Sequence, residues 1–283
     1  MRFKTGRPSA SAGLYQTASV RRRVGMGERG RFDRGDGAEL AWIRAAGRGP
    51  TIVFFPGFGS DMRGDKATDL ARFCASHGRA LLRFDYSGHG ESDGAFLDGS
   101  IGRWLQDALT AIDQKTEGRL VLVGSSMGGW IALLAAMRRP ERVAGLIGIA
   151  AAPDFTETLM WHAMTAAEQA RLMAEGSLTV ENGGDSPLVI TRLLIEDGRH
   201  HLLLGSEIPI SCPVRLLHGQ RDGDVPWETA LRTAERMAGA DVRVTLIKDG
   251  EHRLSRPQDL ALLRATLTEL LGEDGCDQRE GSS

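Results

Sequence analysis

Short apolar runs alternate with amphipathic stretches along most of this chain. Seven apolar runs predict buried strands, at 38–43, 50–55, 80–84, 120–123, 143–150, 214–217 and 242–247. Five stretches with helical spacing follow them, at 66–76, 100–116, 127–138, 228–237 and 258–271. Strands that alternate with helices build a mostly parallel sheet covered by helices on both faces, so we predict an α/β fold.

The interval 154–208 breaks this alternation. It contains amphipathic helical stretches at 155–164, 166–174 and 189–195, and no convincing buried strand. An insertion of this size after 143–150, which corresponds to the sixth strand of the expected fold, predicts a helical cap over the carboxyl edge of the sheet, where open α/β sheets place their sites. The alternative is a helical decoration away from the site. The predicted core is then 32–153 and 209–271.

Both ends of the chain are predicted to be disordered. Residues 1–31 contain eight Lys/Arg and one acid, Glu28, without an apolar signal segment. The alternatives to a disordered tail are a mitochondrial transit peptide and a start codon assigned too early. We therefore expect a bacterial cytoplasmic protein, or a mitochondrial matrix protein if this segment is a transit peptide. Residues 272–283 are too polar to pack and form the second tail.

Composition narrows the function classes. The chain has 283 residues, 41% hydrophobic and 25% charged, with a net charge of -2. This balance gives no reason to expect nucleic acid or an anionic membrane as partner. The longest apolar runs are too short for a membrane span. The three cysteines are far apart, and neither a metal-ligand cluster nor a nucleotide-binding loop is recognisable, so we expect no cofactor.

The predicted strand at 120–123 runs into a G-x-S-x-G motif at 124–128, which a predicted helix follows. The motif alone is weak, but between a buried strand and a helix it predicts a nucleophile elbow. The turn is so sharp that side chains two residues on either side of Ser126 would clash, which accounts for Gly124 and Gly128. We predict that Ser126 is a nucleophile at the sheet edge.

An acyl-transferring serine needs backbone donors for the oxyanion. One is the N–H of Met127, at the start of the helix after Ser126. In enzymes with such an elbow the second donor comes from the turn after the third strand of the fold, to which 50–55 corresponds here. Pro56, Gly57, Phe58 and Gly59 stand there. We predict that the Phe58 N–H joins that of Met127; an ordinary turn is the alternative.

Seven histidines compete for the role of general base: His77, His89, His162, His200, His201, His218 and His252. In chain order such enzymes have serine, then acid, then a histidine after the last strand. Only His252 follows the last predicted strand, so we predict it as the base. His89 and His218 are expected to have structural roles, with His218 contacting backbone.

The acid should follow the penultimate strand, where Asp222 and Asp224 are both available. Asp222 occupies the aspartate of an H-G-x-x-D-x-x-V-P pattern that begins at His218. We predict that Asp222 orients His252 and stabilises its imidazolium form. Asp224 is expected to cap the helix that begins near Trp227.

Several segments resemble the α/β-hydrolase superfamily. Within it they resemble the mitochondrial branch described as palmitoyl-protein thioesterase and mycophenolic acid acyl-glucuronide esterase. The similar segments are 83–88, 91–94, 123–130, 212–219 and 225–227. The resemblance covers about 38–271 and is weakest at 154–190. It implies an α/β-hydrolase fold with Ser126, Asp222 and His252 as nucleophile, acid and base.

The expected function is hydrolysis of carboxylic esters or thioesters through an acyl-enzyme, on a small molecule or an acylated protein. Apolar cap residues such as Phe155, Leu159 and Met160 predict a preference for medium- to long-chain acyl groups. The cap has nine acids against three arginines, which disfavours acyl-coenzyme A. The alternatives are a serine aminopeptidase, with a cap group that binds a free amine, and a non-catalytic binding protein. Oligomeric state is left open.

Overall fold

An eight-stranded sheet forms the centre of the computed structural model, which describes residues 27–180 and 187–272. The strands in these ranges are β1 (Glu28–Asp33), β2 (Glu39–Ala45), β3 (Arg48–Phe55), β4 (Arg79–Phe84), β5 (Leu120–Ser125), β6 (Val143–Ile149), β7 (Ser177–Val180), β8 (Leu188–Thr191), β9 (Val214–Gly219) and β10 (Val242–Ile247). The sheet order is β1-β2-β4-β3-β5-β6-β9-β10. The strands from β4 to β10 in this order run parallel, and β2 is antiparallel to both of its neighbours.

Helices cover both faces of the sheet. In the described residues they are α1 (Asp65–Ser76), α2 (Ile101–Lys115), α3 (Met127–Arg138), α4 (Ala166–Glu175), α5 (Arg192–Arg199), α6 (Glu228–Arg236) and α7 (Pro257–Leu270). Successive residues of β3 point to opposite faces. Ile52 belongs to the core under α1 and α7, and Val53 to the larger core under α2 and α3. This mostly parallel, helix-covered sheet confirms the predicted fold class.

The cap follows β6, the sixth strand, as predicted. It consists of a π-helical segment (Thr156–Trp161), α4, the antiparallel hairpin β7–β8 and α5. The hairpin corrects the helix predicted over 189–195, because 188–191 pairs with 177–180 and only then does the chain enter α5. Thr191 caps α5 by accepting the Leu194 N–H at 3.1 Å. Residues 181–186 lie outside the described part of the chain.

The first strand corrects the predicted tail boundary. β1 begins at Glu28 and pairs antiparallel with β2 along its whole length. Its one buried side chain, Phe32, joins the core beside Trp42. The tail prediction for 1–26 and most of the second predicted tail, 273–283, lie outside the described residues.

Candidate active site

Ser126 is the single residue between β5 and α3, and its backbone conformation is one that residues other than glycine rarely adopt. Its φ is 55° and its ψ is -123°. A Cβ at Gly124 would overlap the carbonyl of Gly128, and one at Gly128 would overlap the carbonyl of Phe55. Only glycine fits at these two positions, as the sequence predicted. The strained turn presents the Ser126 hydroxyl at the carboxyl edge of the parallel strands.

The loop between β10 and α7 brings His252 to this hydroxyl. His252 Nε2 lies 3.1 Å from Ser126 Oγ. On the other side of the ring, His252 Nδ1 lies 2.8 Å from Asp222 Oδ2. The structure therefore joins the three residues predicted as nucleophile, base and acid into one hydrogen-bonded chain. The side chain of Asp222 is fully buried, and that of His252 is partly exposed at the cavity beside Ser126.

The Asp222 carboxylate is saturated with donors. Oδ2 also lies 3.1 Å from His218 Nε2, and Oδ1 accepts the N–H groups of Asp224 and Val225 at 2.9 and 2.8 Å. Burial raises the pKa of this carboxyl, but the hydrogen bonds from His218, His252 and the Val225 N–H outweigh it and hold the pKa well below its usual range. Asp222 is thus an anion, and it accepts a hydrogen bond from a proton that stays on His252 Nδ1.

The helix-capping role predicted for Asp224 is wrong. The N-cap residue of α6 is Trp227, and no side chain caps the helix there. Asp224 is exposed, and its backbone N–H donates to Asp222 Oδ1. Pro226 separates Asp224 from the helix, so its carboxylate is too early in the chain to reach the first free N–H groups.

Phe58 and Met127 both border Ser126, as predicted for oxyanion donors. Met127 is the first residue of α3, and N–H groups at that position have no acceptor within the helix. Phe58 follows Gly57, where a Cβ would lie 3.3 Å from the Ser126 Cβ. The turn after β3 and the start of α3 therefore face each other across the serine.

Two buried side chains hold the turn after β3. His89 Nδ1 donates to the Ser87 carbonyl at 3.2 Å, and its Nε2 accepts the Gly59 N–H at 3.2 Å. Burial lowers the pKa of His89, which keeps the ring neutral and its Nε2 free to accept. Asp85 accepts the Met62 N–H at 2.7 Å and the Glu91 N–H at 2.9 Å. The sequence had given His89 a structural role, but not this contact with the residue after Phe58.

A cavity of about 170 Å³ opens beside Ser126 and His252. Its other lining residues come from the turn after β3, the start of α1 and the loop after His252, and they include Ser60, Asp61, Asp65, Lys66, Arg253 and Ser255. Lys66 donates to the Arg253 carbonyl, which ties α1 to the loop of His252. Burial lowers the pKa of Lys66 to about 8. None of the described cap residues lines this cavity.

The apolar side chains of the cap pack on protein. Phe155, Leu159 and Met160 contact the main core, with Phe155 5.7 Å from the Trp130 ring and 5.8 Å from the Phe58 ring. Leu172 joins a small core inside the cap, together with Met164. The expectation that these residues line an acyl pocket is not supported by their contacts.

Most described cap acids are engaged locally. Glu157 pairs with Arg199, Glu175 with Arg171 and Glu196 with Arg192, at 2.7, 3.2 and 3.8 Å. Glu168 closes a capping box with Thr165. The three arginines of the cap are therefore each paired with one acid, and the cap keeps an excess of negative charge.

One set of potential metal ligands occurs among the described residues. Asp222, Asp224 and His252 each place a ligand atom within 4.8 Å of the others. Two of these three already form the hydrogen bond between Asp222 and His252, which a cation would have to displace.

This sheet, with a serine at the turn after β5, defines the class of α/β-hydrolases. A family model described as "Serine aminopeptidase, S33" matches residues 48–192. The chain belongs to the α/β-hydrolase superfamily, in this serine aminopeptidase family, and it is a hydrolase of the group that includes the palmitoyl-protein thioesterases named ABHD10.

The chain is similar to curated mammalian relatives over most of its length. It is 42% identical to mouse "Palmitoyl-protein thioesterase ABHD10, mitochondrial" over 85% of this chain and 81% of that protein. With the human protein of the same name the identity is 39%, over 85% and 79%. These matches confirm the predicted resemblance at the level of the family.

Solved structures agree with the fold. The mouse alpha/beta hydrolase domain-containing protein 10 superimposes with a TM-score of 0.82 at 40% identity, covering 87% of this chain and 99% of that one. A putative hydrolase from Agrobacterium vitis S4 gives a TM-score of 0.82 at 39% identity, over 86% and 98%. Within residues 27–180 and 187–272, no helix has both the length and the apolar character required to cross a bilayer.

Proposed function

We propose that the chain is a serine hydrolase that cleaves carboxylic esters or thioesters through an acyl-enzyme on Ser126. The observation that carries the proposal is the hydrogen-bonded chain from Ser126 Oγ through His252 to Asp222, at 3.1 and 2.8 Å. A serine hydroxyl becomes nucleophilic when a base contacts it and a third group orients that base. The thioesterase names of the relatives support the same bond class.

The reaction follows from the contacts. Because Asp222 holds the proton on Nδ1 of His252, the Nε2 lone pair faces Ser126 and takes the hydroxyl proton as Oγ attacks the acyl carbonyl. The N–H groups of Phe58 and Met127 stabilise the oxyanion. His252 then gives the proton to the leaving oxygen or sulfur, which departs and leaves an ester on Ser126. A water molecule, deprotonated by His252, then attacks the acyl carbonyl. The bond from the carbonyl carbon to Oγ breaks, His252 returns the proton to Oγ, and the carboxylic acid leaves.

A peptidase is the second candidate, favoured by the description of the matching family model. An aminopeptidase needs an anionic group that binds the free amine of its substrate. The described cap acids do not line the cavity beside Ser126, whereas Asp61 and Asp65 do, next to Lys66 and Arg253. We favour the esterase because this lining offers both charge signs.

The experiment is covalent labelling with a fluorophosphonate, which reacts with activated serines. Ser126→Ala should remain folded and lose both labelling and ester hydrolysis. Ser125→Ala is the matched control, because Ser125 is the neighbouring serine of the same motif, and it should still be labelled at Ser126. Labelling of Ser126→Ala at another serine would refute the assignment, and an unlabelled wild type would favour a binding protein.

A substrate pair separates the two candidates. We expect hydrolysis of p-nitrophenyl butyrate and little release from an aminoacyl p-nitroanilide. Faster cleavage of the anilide, lost when its amine is acetylated, would identify a peptidase and point to Asp61 or Asp65.

The compartment also stays a prediction. The word "mitochondrial" in the names of the relatives supports the matrix alternative for this chain. Residues 1–31 fused to a fluorescent protein should direct it to mitochondria only if they act as a transit peptide.

A further inference from the structure

His218 is a second histidine in contact with the triad carboxylate. It lies near the end of β9 and is fully buried. Its Nε2 lies 3.1 Å from Asp222 Oδ2 and 3.0 Å from the Val225 carbonyl oxygen. Its Nδ1 is buried and has no hydrogen-bond partner among the described residues. The sequence had predicted only backbone contacts for this residue.

These contacts define the protonation state of His218. The Val225 carbonyl can only accept, so Nε2 must carry the proton that both oxygens share. A proton on Nδ1 as well would bury a charged N–H without an acceptor, which is unfavourable. His218 therefore carries a proton on Nε2 and acts on Asp222 only as a donor.

The donor from His218 competes with that from His252. His218 Nε2 and His252 Nδ1 lie 3.1 and 2.8 Å, respectively, from the same oxygen, Oδ2 of Asp222. A carboxylate oxygen that accepts two hydrogen bonds gives less negative charge to each of them. Val225 anchors the arrangement, because its N–H binds Oδ1 while its carbonyl binds His218.

On the basis of the proposed function, we propose that His218 is a positioning residue. It fixes the Oδ2 oxygen that orients His252, and it moderates the basicity of His252 by sharing that oxygen. Removing the donor leaves Asp222 to attract the His252 imidazolium more strongly. The base then stays protonated to higher pH, where it cannot accept the Ser126 proton.

Other charged groups surround His252, and neither substitution changes these residues. One of them, Lys66, has a pKa of about 8 and titrates within the pH range of the experiment in the wild type as well. The Asp224 carboxylate lies within 4.8 Å of the Asp222 and His252 ligand atoms. Lys66 and Arg253 line the same cavity as His252, and Glu251 precedes His252 on its loop. Because none of them is altered, a shift of the pH profile reports the His218 donor.

The experiment compares two substitutions of similar size. His218→Gln places an amide N–H near the position of Nε2, whereas His218→Met removes the donor. The measurement is kcat/KM for a p-nitrophenyl ester from pH 5 to 9, whose acid limb reports the free base. We expect His218→Met to lower the plateau and to move the acid limb up by about half to one pH unit. His218→Gln should keep the midpoint of the wild type.

An unshifted acid limb in a folded His218→Met variant would overturn the proposal, as would a His218→Gln profile identical to that of His218→Met. A second measurement needs no substitution. The ¹⁵N shifts of histidine-labelled wild type should show a proton on Nε2 of His218; a tautomer with the proton on Nδ1 instead would overturn the proposal. Failure of Ser126 labelling in wild type is a separate result and would refute the proposed function instead.

Discussion

The loops around Ser126 and the cap use their polar side chains differently. Around Ser126, buried carboxylates and imidazoles hold the loops that carry the reacting groups: Asp222 binds two histidines, and His89 binds the turn of Phe58. In the cap, polar side chains mostly pair with each other, as Glu157 does with Arg199. The comparison indicates that the core determines the chemistry, and that the cap is a separately packed layer over it.

A few buried contacts close the base of this layer and attach it to the core. Asp154, at the start of the cap, accepts the N–H groups of Leu203 and Leu204 at its end, at 2.7 and 2.9 Å. On α5, Asp197 accepts the Gly102 N–H at the start of α2 at 2.7 Å. The Trp130 indole donates to the His201 carbonyl at 3.0 Å. We call these contacts of Asp154, Asp197 and Trp130 the clasp of the cap, because they hold its base in place.

The largest expected effect concerns the two aspartates. Asp222→Asn should lower kcat by about 10³- to 10⁴-fold with little change in KM, because the amide no longer holds His252 in the reactive tautomer. The measurement is steady-state hydrolysis of a p-nitrophenyl ester. Asp224→Asn is the matched control: its carboxylate is exposed and caps no helix, so we expect nearly wild-type kcat. The reverse pattern would exchange the two roles.

The sequence was most informative where short-range patterns decide the structure. The elbow was predictable because an unbroken apolar run, a G-x-S-x-G motif and a helical pattern follow one another directly. The acid and base followed from chain order, since a doubly covered sheet brings the ends of successive strands to one edge.

Elements that depend on distant partners were missed. β1 has only one buried side chain, Phe32, so its pairing with β2 left almost no trace in the apolar pattern. β8 is four residues long and runs directly into α5, and together they resemble one amphipathic helix. The contacts of His218 with Asp222 and of His89 with Gly59 depend on loop geometry that residue spacing does not encode.

The second prediction tests whether His89 must hold the turn of Phe58 for full activity. His89→Ala removes the acceptor of the Gly59 N–H and should lower kcat by about 10- to 100-fold, less than the loss of an oxyanion donor itself. Ester hydrolysis at saturating substrate is the measurement. His162→Ala is the control, because His162 is exposed in the cap and should leave kcat unchanged. Equal effects of both substitutions would contradict the positioning role of His89.

The third prediction tests the clasp of the cap. Asp154→Ala leaves two buried N–H groups without their acceptor and should lower the free energy of unfolding by about 1–3 kcal/mol. Urea unfolding followed by fluorescence measures it. Glu157→Gln weakens a partly exposed ion pair and should cost less than about 1 kcal/mol. If Asp154→Ala were no more costly than Glu157→Gln, the cap would not depend on this clasp.

The smallest expected effect is a change of a few-fold in kcat/KM for each methylene added to the acyl chain. This effect tests whether the cap takes part in substrate binding. Each buried methylene of an acyl chain contributes about 0.8 kcal/mol, close to fourfold in kcat/KM. The cavity of about 170 Å³ beside Ser126 is below the roughly 300–1,000 Å³ of pockets that enclose drug-sized ligands. Because the cap residues Phe155, Leu159 and Met160 are packed against the core, they cannot enlarge this cavity without moving.

We therefore expect kcat/KM of p-nitrophenyl esters to rise from acetyl to about butyryl and then level off. A continued rise to decanoyl would agree with the predicted preference for medium- to long-chain acyl groups and would show that the cap opens to admit the chain. Loosening the clasp with Asp154→Ala should then change the longer esters most.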